Sequence, residues 1–305
     1  MTRHVYGPVP SRRLGRSLGV DLVPFKTCSY DCLYCQLGPT TCKTSECREW
    51  IETNLILEQV GGALPSRPDV ITLAGSGEPT LHAGLGTLIG GIKAMTDIPV
   101  AVLSNGSLFW REEVLERVME ADILMPSLDA GDADTFKRIN RPHAEITFEK
   151  MVRGLEEMNR TYRGEIRLEI LLMEGVNASD EDVEKMVRLV GAIRPHRVEL
   201  NTTFRPSPGY EDATVAPGRL RELATRFPVP TEVIARNAAP EASGDGSVTD
   251  RDLLVLLRRR PCTVEDIAEG LGIHRGEALK SVEALANAGR CLRVRQGKKL
   301  FYRAN

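Results

Sequence analysis

The sequence predicts an α/β fold in which an open, partial (β/α)6 barrel is followed by a small domain of helices and a β-hairpin. Short apolar runs alternate with amphipathic stretches of helical length between residues 18 and 234, a pattern typical of repeated βαβ units. Residues 237–247 are small, polar and rich in Gly and Pro, which is the composition of a linker. We therefore expect a barrel domain at 1–236, a linker at 237–249 and a second domain at 250–305.

The elements of the first domain follow from these runs. The strand candidates are 18–23, 69–74, 100–104, 122–128, 165–172, 197–201 and 229–234. The amphipathic helix candidates between them include 46–60, 110–120, 148–160 and 180–193. Strands that alternate with helices of this length indicate a parallel sheet. Six or so βα units are too few to close an eight-stranded barrel, so we expect a partial one.

The second domain is predicted to contain three helices and a hairpin. In order, the pattern gives a helix at 250–258, a Thr263–Asp266 capping box that begins a second helix, a turn at 271–273, a helix at 275–288, and strands at 292–294 and 300–302 around Gly297. A helix-turn-helix followed by a β-hairpin is the element order of a winged-helix module.

Charge divides along the same boundary. Residues 250–305 contain 12 Lys/Arg and 7 Asp/Glu, whereas residues 1–249 contain 28 and 35, and the whole chain has a formal net charge of −2. The second domain is therefore the part suited to an anionic partner. No apolar run approaches the ~20 residues of a membrane span, and the first residues lack the apolar core of a secretory signal. We expect a cytoplasmic protein with no membrane partner.

The strongest chemical signal is a C-x3-C-x2-C motif directly after the first predicted strand, formed by Cys28, Cys32 and Cys35. Three thiolates in one loop can hold three irons of a [4Fe–4S] cluster and leave the fourth iron open for a reactive ligand. A zinc site is the alternative, although structural zinc prefers four ligands. The motif therefore predicts a cluster with one open iron.

Two further cysteines, Cys42 and Cys47, follow this motif closely. They could supply two ligands of a second, auxiliary cluster, form a redox disulfide, or relay sulfur. The alternative is that they are two partly buried free thiols. The sequence leaves these interpretations open.

The cysteine loop and three later motifs resemble the radical S-adenosylmethionine (SAM) superfamily. Gly75-Ser76-Gly77-Glu78-Pro79 follows the second predicted strand and is similar to the family's Gly-Gly-Glu motif, Ser104-Asn105-Gly106 follows the third, and Ser127-Leu128-Asp129 follows the fourth. All lie at the C-terminal ends of strands, where the sites of parallel α/β folds collect. The resemblance covers about 210 residues and implies a radical SAM partial barrel.

The resemblance also implies a role for each matching residue. Cys28, Cys32 and Cys35 would ligate the cluster, and SAM would chelate its open iron. The implied SAM contacts are Tyr34 at the adenine, Gly75, Ser76, Gly77 and Glu78 at the methionyl ammonium, Ser104, Asn105, Ser127 and Asp129 at the carboxylate and ribose, and Glu169 and Asn201 on later strands. Packing is the alternative role for Tyr34, and a structural hydrogen bond is the alternative for Glu169 and Asn201.

A finer resemblance is to the branch of this family related to wyosine-base synthases, which rebuild a modified guanine in tRNA. It is carried by the segments 7–20 (GPVPSRRLGRSLGV), 35–38 (CQLG) and 138–142 (RINRP). Wyosine synthases hold a second cluster on cysteines that precede the radical loop, whereas residues 1–27 contain no cysteine. The resemblance therefore favours a tRNA substrate and leaves the reaction on it open.

Two groups of basic residues are candidates for binding the substrate. Arg12, Arg13 and Arg16 lie in the glycine-rich N-terminal segment and suit phosphate or carboxylate. Arg293, Arg295, Lys298 and Lys299 lie on the predicted hairpin and suit phosphate contacts. For the first group an ordinary solvated surface is the alternative. The winged helix could bind nucleic acid, dock a protein or the substrate, or have a purely structural role.

Taken together, these motifs predict an iron–sulfur oxidoreductase of the radical SAM type. A carrier such as flavodoxin or ferredoxin would reduce the cluster, SAM would be cleaved, and the 5′-deoxyadenosyl radical would take a hydrogen from a macromolecular substrate, with RNA, and tRNA in particular, favoured. One alternative is an activase that makes a glycyl radical on a partner protein docked by the winged helix. A second alternative is a redox-responsive regulator that binds DNA.

Overall fold

The computed structural model describes residues 3–11, 13–206, 213–234, 249–297 and 299–305. Its strands are β1 (Val5–Ser11), β2 (Gly15–Asp21), β3 (Thr27–Cys28), β4 (Cys42–Lys43), β5 (Val70–Ala74), β6 (Val100–Ser104), β7 (Ile123–Pro126), β8 (Glu165–Leu172), β9 (Arg197–Thr202), β10 (Thr231–Val233), β11 (Cys291–Gln296) and β12 (Lys299–Ala304). Its α-helices are α1 (Thr53–Ala63), α2 (Leu85–Met95), α3 (Glu112–Glu116), α4 (Ala133–Asn140), α5 (Phe148–Thr161), α6 (Asp180–Ile193), α7 (Pro217–Ala224), α8 (Asp250–Arg259), α9 (Val264–Leu271) and α10 (Arg275–Asn287). Arg12, Lys298 and the predicted linker as far as residue 248 lie outside the described residues.

The central sheet has eight strands in the order β1-β2-β5-β6-β7-β8-β9-β10. From β2 to β10 every pairing in this order is parallel, and β1 pairs antiparallel with β2. The seven parallel strands are the seven predicted ones, and the bounds of β6 and β8 are those predicted. The α/β class is therefore confirmed.

Strand β1 was not predicted, because Gly7, Pro8 and Pro10 interrupt its apolar residues. Proline is tolerated on an edge strand, where its missing N–H group is not needed by a second neighbour. β1 lies at the edge of the sheet. Its partner strand supplies Gly19, at which a Cβ atom would stand 2.1 Å from the Tyr6 ring, so the glycine makes room for that side chain.

The sheet curves, as a contact of Arg13 shows. Arg13 lies in the turn between β1 and β2, and its guanidinium is 2.6 Å from Glu169 on β8 and 3.2 Å from Glu199 on β9. In a flat sheet β2 and β8 would stand about 19 Å apart, four spacings of about 4.8 Å, well beyond the reach of one side chain. The curvature is that of the predicted partial barrel.

Two predicted helices are shorter in the structure. The helix predicted at 46–60 begins only at Thr53, because the chain before it runs alongside another segment: the Arg48 amide donates to the Leu81 carbonyl (3.1 Å), and the Ala83 amide donates to the Arg48 carbonyl (2.9 Å). The helix predicted at 110–120 is α-helical only over α3. Before α1, backbone groups used between distant segments thus override the amphipathic pattern. After α3, the chain continues in turns closed by local backbone hydrogen bonds, from the Val118 amide to the Leu115 carbonyl (3.1 Å) and from the Met119 amide to the Glu116 carbonyl (3.3 Å).

The chain divides into two compact units. The first contains, of the described residues, 3–33, 39–202 and 213–234, and the second contains 34–38, 203–206 and 249–305. The short segments 34–38 and 203–206 thus belong with the C-terminal residues, and the predicted boundary at 236 stays a prediction. Within the second unit, Arg205 donates to the Pro261 carbonyl at 3.1 Å.

The second unit has its own apolar core, built by α8, α9, α10 and the β11–β12 hairpin. Both predicted capping residues act as predicted at the start of α9, where Thr263 and Asp266 satisfy each other's backbone amides. Cys262 bridges to Tyr302 on β12 through two backbone hydrogen bonds of 2.9 and 2.7 Å. The element order is the predicted one, and its interpretation as a winged helix remains a prediction. In the described part of the chain, no helix has the length and apolar character needed to cross a bilayer.

Candidate functional site

The predicted site residues of the first unit gather at one edge of the sheet. The cysteine loop follows β2, the turn 75–78 follows β5, Ser104 and Asn105 end β6, and Ser127 and Asp129 follow β7. Because parallel strands end on the same side, these side chains meet at their carboxyl edge. The roles of these residues stay predictions, and the contacts below describe how they are joined.

The turn 75–78 is joined directly to the start of the cysteine loop. Backbone hydrogen bonds run from the Lys26 amide to the Ser76 carbonyl (2.7 Å) and from the Glu78 amide to the Thr27 carbonyl (3.0 Å). The φ angle of Gly75 is +114°, and a Cβ atom on Gly77 would stand 1.9 Å from the Thr27 carbonyl oxygen. Only glycine fits at these two positions, so the turn presents its backbone close to the loop.

The Glu78 carboxylate ties this turn to the end of β6. Its Oε1 accepts from the Thr80 amide (3.0 Å) and from two hydroxyls, and its Oε2 accepts from the Asn105 amide (2.8 Å). Burial raises the pKa of Glu78, while these hydrogen bonds lower it. Each oxygen of an ionised carboxylate has about two acceptor positions. Oε2 accepts one hydrogen bond here, from the Asn105 amide, so it can accept one more.

Two amide side chains contact the first two cysteines. Asn105 Nδ2 lies 3.6 Å from Cys28 Sγ and donates to Ser29 at 2.8 Å. Asn140 Nδ2 lies 3.5 Å from Cys32 Sγ and 3.0 Å from an Asp129 carboxylate oxygen. Sulfur accepts hydrogen bonds at these longer distances because of its size. Cys28 and Cys32 are half-buried thiols outside any disulfide, and each has an N–H donor directed at it.

Asp129 is held from both sides. Its Oδ1 accepts from the Leu171 amide (3.0 Å) and its Oδ2 from Asn140. These two hydrogen bonds fix the orientation of the carboxylate at the carboxyl edge of the sheet. Ser127, two residues earlier, is half-buried and bridges to Glu169 on β8.

Glu169 and Asn201 are bonded to the chain itself. Asn201 donates to Glu169 Oε1 at 3.0 Å, and Arg13 donates to Oε2 of the same carboxylate at 2.6 Å. Arg13 also reaches Glu199, which is 2% exposed. The Arg16 guanidinium donates to the carbonyls of Ser66 (3.1 Å) and Arg67 (3.2 Å). The structural hydrogen bond given as the alternative for Glu169 and Asn201 thus has direct contacts in its favour.

Tyr30, between the first two cysteines, was not singled out by the sequence analysis. It is 2% exposed, and its ring packs edge-on against Phe136 with centroids 5.4 Å apart. Its hydroxyl has no hydrogen-bond partner among the described residues. Burial raises its pKa well above the usual value, and the charges of Cys32 and Glu78 add to this. An orphaned buried hydroxyl beside the cysteines suits a site that takes up a further group.

Tyr34 and Cys35 lie in the segment 34–38 of the second unit. Both are half-buried, and the Cys35 carbonyl accepts a hydrogen bond from the Gly38 amide (2.9 Å), which closes a turn. Cys35 follows Cys32 by three positions in the sequence, so it belongs to the same loop of the chain as Cys28 and Cys32.

The donor set fits a [4Fe–4S] cluster better than a single ion. No group of three His, Cys, Asp or Glu side chains among the described residues could hold one metal ion. In a cluster each thiolate binds a different iron, so the ligands stand farther apart than those of one zinc. With thiols that accept amide hydrogen bonds and an unpartnered buried hydroxyl beside them, Cys28 and Cys32 suit the cluster, and Cys35 remains its predicted third ligand.

Cys42 and Cys47 have different surroundings. Cys42 is exposed on β4, opposite Thr27. Cys47 is half-buried, donates to the Thr80 carbonyl at 3.6 Å, and stands 4.0 Å from an Arg111 nitrogen. Both are free thiols in the described structure. These contacts give neither thiol a set of further ligands.

The basic residues of the hairpin are exposed. Arg293 bonds to Glu283 on α10, whereas Arg295 and Lys299 form no ion pair with any described residue. Their charges, and that of the half-buried Arg303 on β12, are therefore not neutralised by an ion pair within the described residues.

The sequence as a whole matches known proteins. The family described as the radical SAM superfamily matches residues 22–190. A relative from Brachyspira hyodysenteriae that carries the name GTPase Obg is 38% identical over 294 residues, which cover 95% of this chain and 43% of that protein. A UPF0026 protein from Helicobacter pylori is 33% identical over 303 residues, covering 98% of this chain and 96% of the relative. The chain thus spans under half of the first relative and nearly all of the second.

Solved structures share the fold. A radical SAM methyltransferase from Sphaerobacter thermophilus superposes with a TM-score of 0.52 at 17% identity, over 71% of this chain and 65% of the methyltransferase. At this identity the likeness shows the fold alone. It agrees with the α/β sheet described above.

Proposed function

Since the chain belongs to the radical SAM superfamily, we propose that Cys28, Cys32 and Cys35 hold a [4Fe–4S] cluster at which SAM is cleaved reductively to act on RNA. Membership of this family implies an enzyme, and the family uses a [4Fe–4S] cluster and SAM. The observation that carries the proposal for this chain is the joining of the cysteine loop to the turn 75–78 and to Asn105 at one sheet edge. A regulator that only senses redox state would not need the turn 75–78 and Asn105 beside its cluster.

When bound, the reduced cluster supplies the electron that cleaves SAM, and the adenosyl product takes a hydrogen from the substrate. The protein's part is to bind, orient and exclude water. The backbone of the turn 75–77 and the remaining acceptor position of Glu78 would take the methionyl ammonium. Asp129, held by Leu171 and Asn140, would accept from the ribose hydroxyls. The electron is proposed to come from a carrier such as flavodoxin or ferredoxin.

Reduction in the presence of SAM tests this chemistry. We expect the full chain, reconstituted anaerobically with iron and sulfide, to contain about four irons and, with dithionite, to convert SAM into 5′-deoxyadenosine and methionine. Both products are measured by liquid chromatography against an unreduced control. Protein that carries the cluster and still yields neither product from SAM would contradict the proposal.

The second unit supports RNA as the substrate. Residues 250–305 carry five more Lys/Arg than Asp/Glu, and Arg295 and Lys299 are exposed on its hairpin. Phosphate contacts are the sequence-independent source of affinity for nucleic acid. The resemblance of 7–20, 35–38 and 138–142 to the wyosine-synthase branch favours tRNA within this class. The winged-helix module is proposed to hold the RNA.

Charge reversal on the hairpin tests the RNA proposal. We expect Arg295→Glu or Lys299→Glu in the full chain to weaken binding of unfractionated tRNA and to reduce the slope of log affinity against log salt by about one for each phosphate that is no longer neutralised. Arg221→Glu, which reverses an exposed charge on α7, is the matched control and should leave the slope unchanged. The slope is measured by filter binding at several salt concentrations. Equal slopes in all variants would contradict RNA binding by the hairpin and favour a protein substrate.

A further inference from the structure

Asn140 is a buried residue for which neither the resemblance nor the proposed chemistry provides a role. It is the last residue of α4 and is 3% exposed. Its Nδ2 atom stands 3.5 Å from Cys32 Sγ and 3.0 Å from Asp129 Oδ2. An amide nitrogen carries two hydrogens, so one can be directed at the sulfur and one at the carboxylate. The side chain thus connects a proposed cluster ligand with a proposed SAM contact.

The end of α4 is also fixed to the cysteine loop through the backbone. The last carbonyls of a helix have no partner within it, and here the Ile139 carbonyl accepts from the Leu33 amide (2.9 Å) and the Asn140 carbonyl from the Asp31 amide (3.0 Å). Asp31 and Leu33 flank Cys32 on both sides. The helix end therefore sets the position of the Asn140 amide relative to the Cys32 sulfur.

We infer that Asn140 is a positioning residue that donates an N–H···S hydrogen bond to the Cys32 thiolate and thereby raises the reduction potential of the cluster. The inference rests on the proposed function, because it needs a cluster at Cys28, Cys32 and Cys35. Reduction adds one negative charge to a cluster, so donors to its sulfurs stabilise the reduced state more than the oxidised state. Residues beyond the ligands are a recognised means of tuning a metal centre.

The contact at Cys28 supports the same interpretation. Asn105 Nδ2 lies 3.6 Å from Cys28 Sγ, so each of the first two cysteines of the motif has an amide side chain beside it. Asn140 differs from Asn105 in that its second hydrogen holds Asp129 rather than a serine. Loss of Asn140 should therefore act on the cluster and on the orientation of Asp129 together.

The test compares the cluster potential of variants in the absence of SAM. We expect Asn140→Leu, which keeps the volume and removes both donors, to lower the equilibrium constant for reduction by about three- to tenfold. For one electron a tenfold change corresponds to about 59 mV. The midpoint is read by titration with mediators while the reduced cluster is followed by electron paramagnetic resonance. Iron content, measured on the same samples, should stay at the wild-type value.

A matched variant separates the hydrogen bond from the packing of α4. Ile139 is fully buried on the same helix, so Ile139→Val loosens the packing without touching the amide and should leave the potential unchanged. If the Asn140→Leu protein loses iron, Asn140→Ser is measured in its place. A serine side chain is too short to reach Cys32, so this variant should lower the reduction potential in the same way. Equal potentials in wild type and variants, or equal shifts in the Asn140 and Ile139 variants, would overturn the inference alone. Wild-type protein that assembles no cluster would overturn the proposed function and this inference together.

Discussion

Replacing Cys28, Cys32 and Cys35 by alanine, singly or together, is expected to abolish both iron binding and SAM cleavage. A cluster with three protein ligands has no spare thiolate that could substitute for a lost one. Iron and acid-labile sulfide should fall from about four per chain to near zero. The formation of 5′-deoxyadenosine should fall below detection in the same samples.

Two other cysteine variants serve as controls for this result. Cys42→Ala/Cys47→Ala removes the exposed and the half-buried thiol that follow the motif and should retain the iron and the activity. Cys262→Ala removes a fully buried thiol of the second unit and should do the same. A wild-type content of about eight irons that falls to about four in the Cys42/Cys47 variant would instead show an auxiliary cluster. Loss of iron in Cys262→Ala would contradict the assignment of the ligands.

The parallel strands could be predicted from the sequence because each is a short, continuous apolar run with polar residues on either side. Glu165–Leu172 and Val100–Ser104 have this form, and the structure reproduces their bounds. Strand β1 has no such run, and helix α1 begins late because its first predicted turn pairs with residues 81–83. Elements whose formation depends on a distant partner leave no periodic pattern of their own.

The same distinction applies to the site. The cysteine loop, the turn 75–78 and Ser104–Asn105 are local motifs at strand ends, and their gathering follows from the parallel topology. The contact of Asn140 with Cys32 spans 108 positions, and those of Arg13 with Glu169 and Glu199 span 156 and 186. No spacing rule connects such positions. Charge alone therefore suggested a ligand-binding role for Arg13, whereas its contacts are with carboxylates of the chain.

Those contacts make Arg13→Ala the substitution with the largest expected effect on stability. Arg13 is the cation between Glu169 and Glu199, and its side chain is 17% exposed against 19% and 2% for the two carboxylates. Removing one partner of a buried ion pair leaves an uncompensated charge, which costs about 3 kcal/mol at the lower end of measured cases. We expect a loss of this size at pH 7.5 in denaturant unfolding followed by circular dichroism.

The pH dependence of this loss shows whether charge is its cause. Burial raises the pKa of Glu199, and Arg13 draws it down, so Arg13→Ala should raise that pKa further. A carboxyl whose folded pKa is raised contributes most stability below its unfolded pKa and loses that contribution as pH rises through the folded value. The difference between wild type and variant should therefore shrink as pH falls from 7.5 toward the ordinary carboxyl range.

Three further variants identify the group responsible. Arg13→Met keeps much of the aliphatic stem without the charge, so it should lose about as much stability as Arg13→Ala. Glu199→Gln in the Arg13→Ala background removes the stranded charge and should restore part of the loss. Arg16→Met, in the same segment, removes an exposed guanidinium that donates to two carbonyl groups, and surface changes of this kind stay within about 0.5 kcal/mol. The loss of stability on Arg13→Ala could instead be the same at every pH and not be relieved by Glu199→Gln. That result would show that packing of the β1–β2 hairpin, rather than the buried ion network, holds β1 and β2 against β8 and β9.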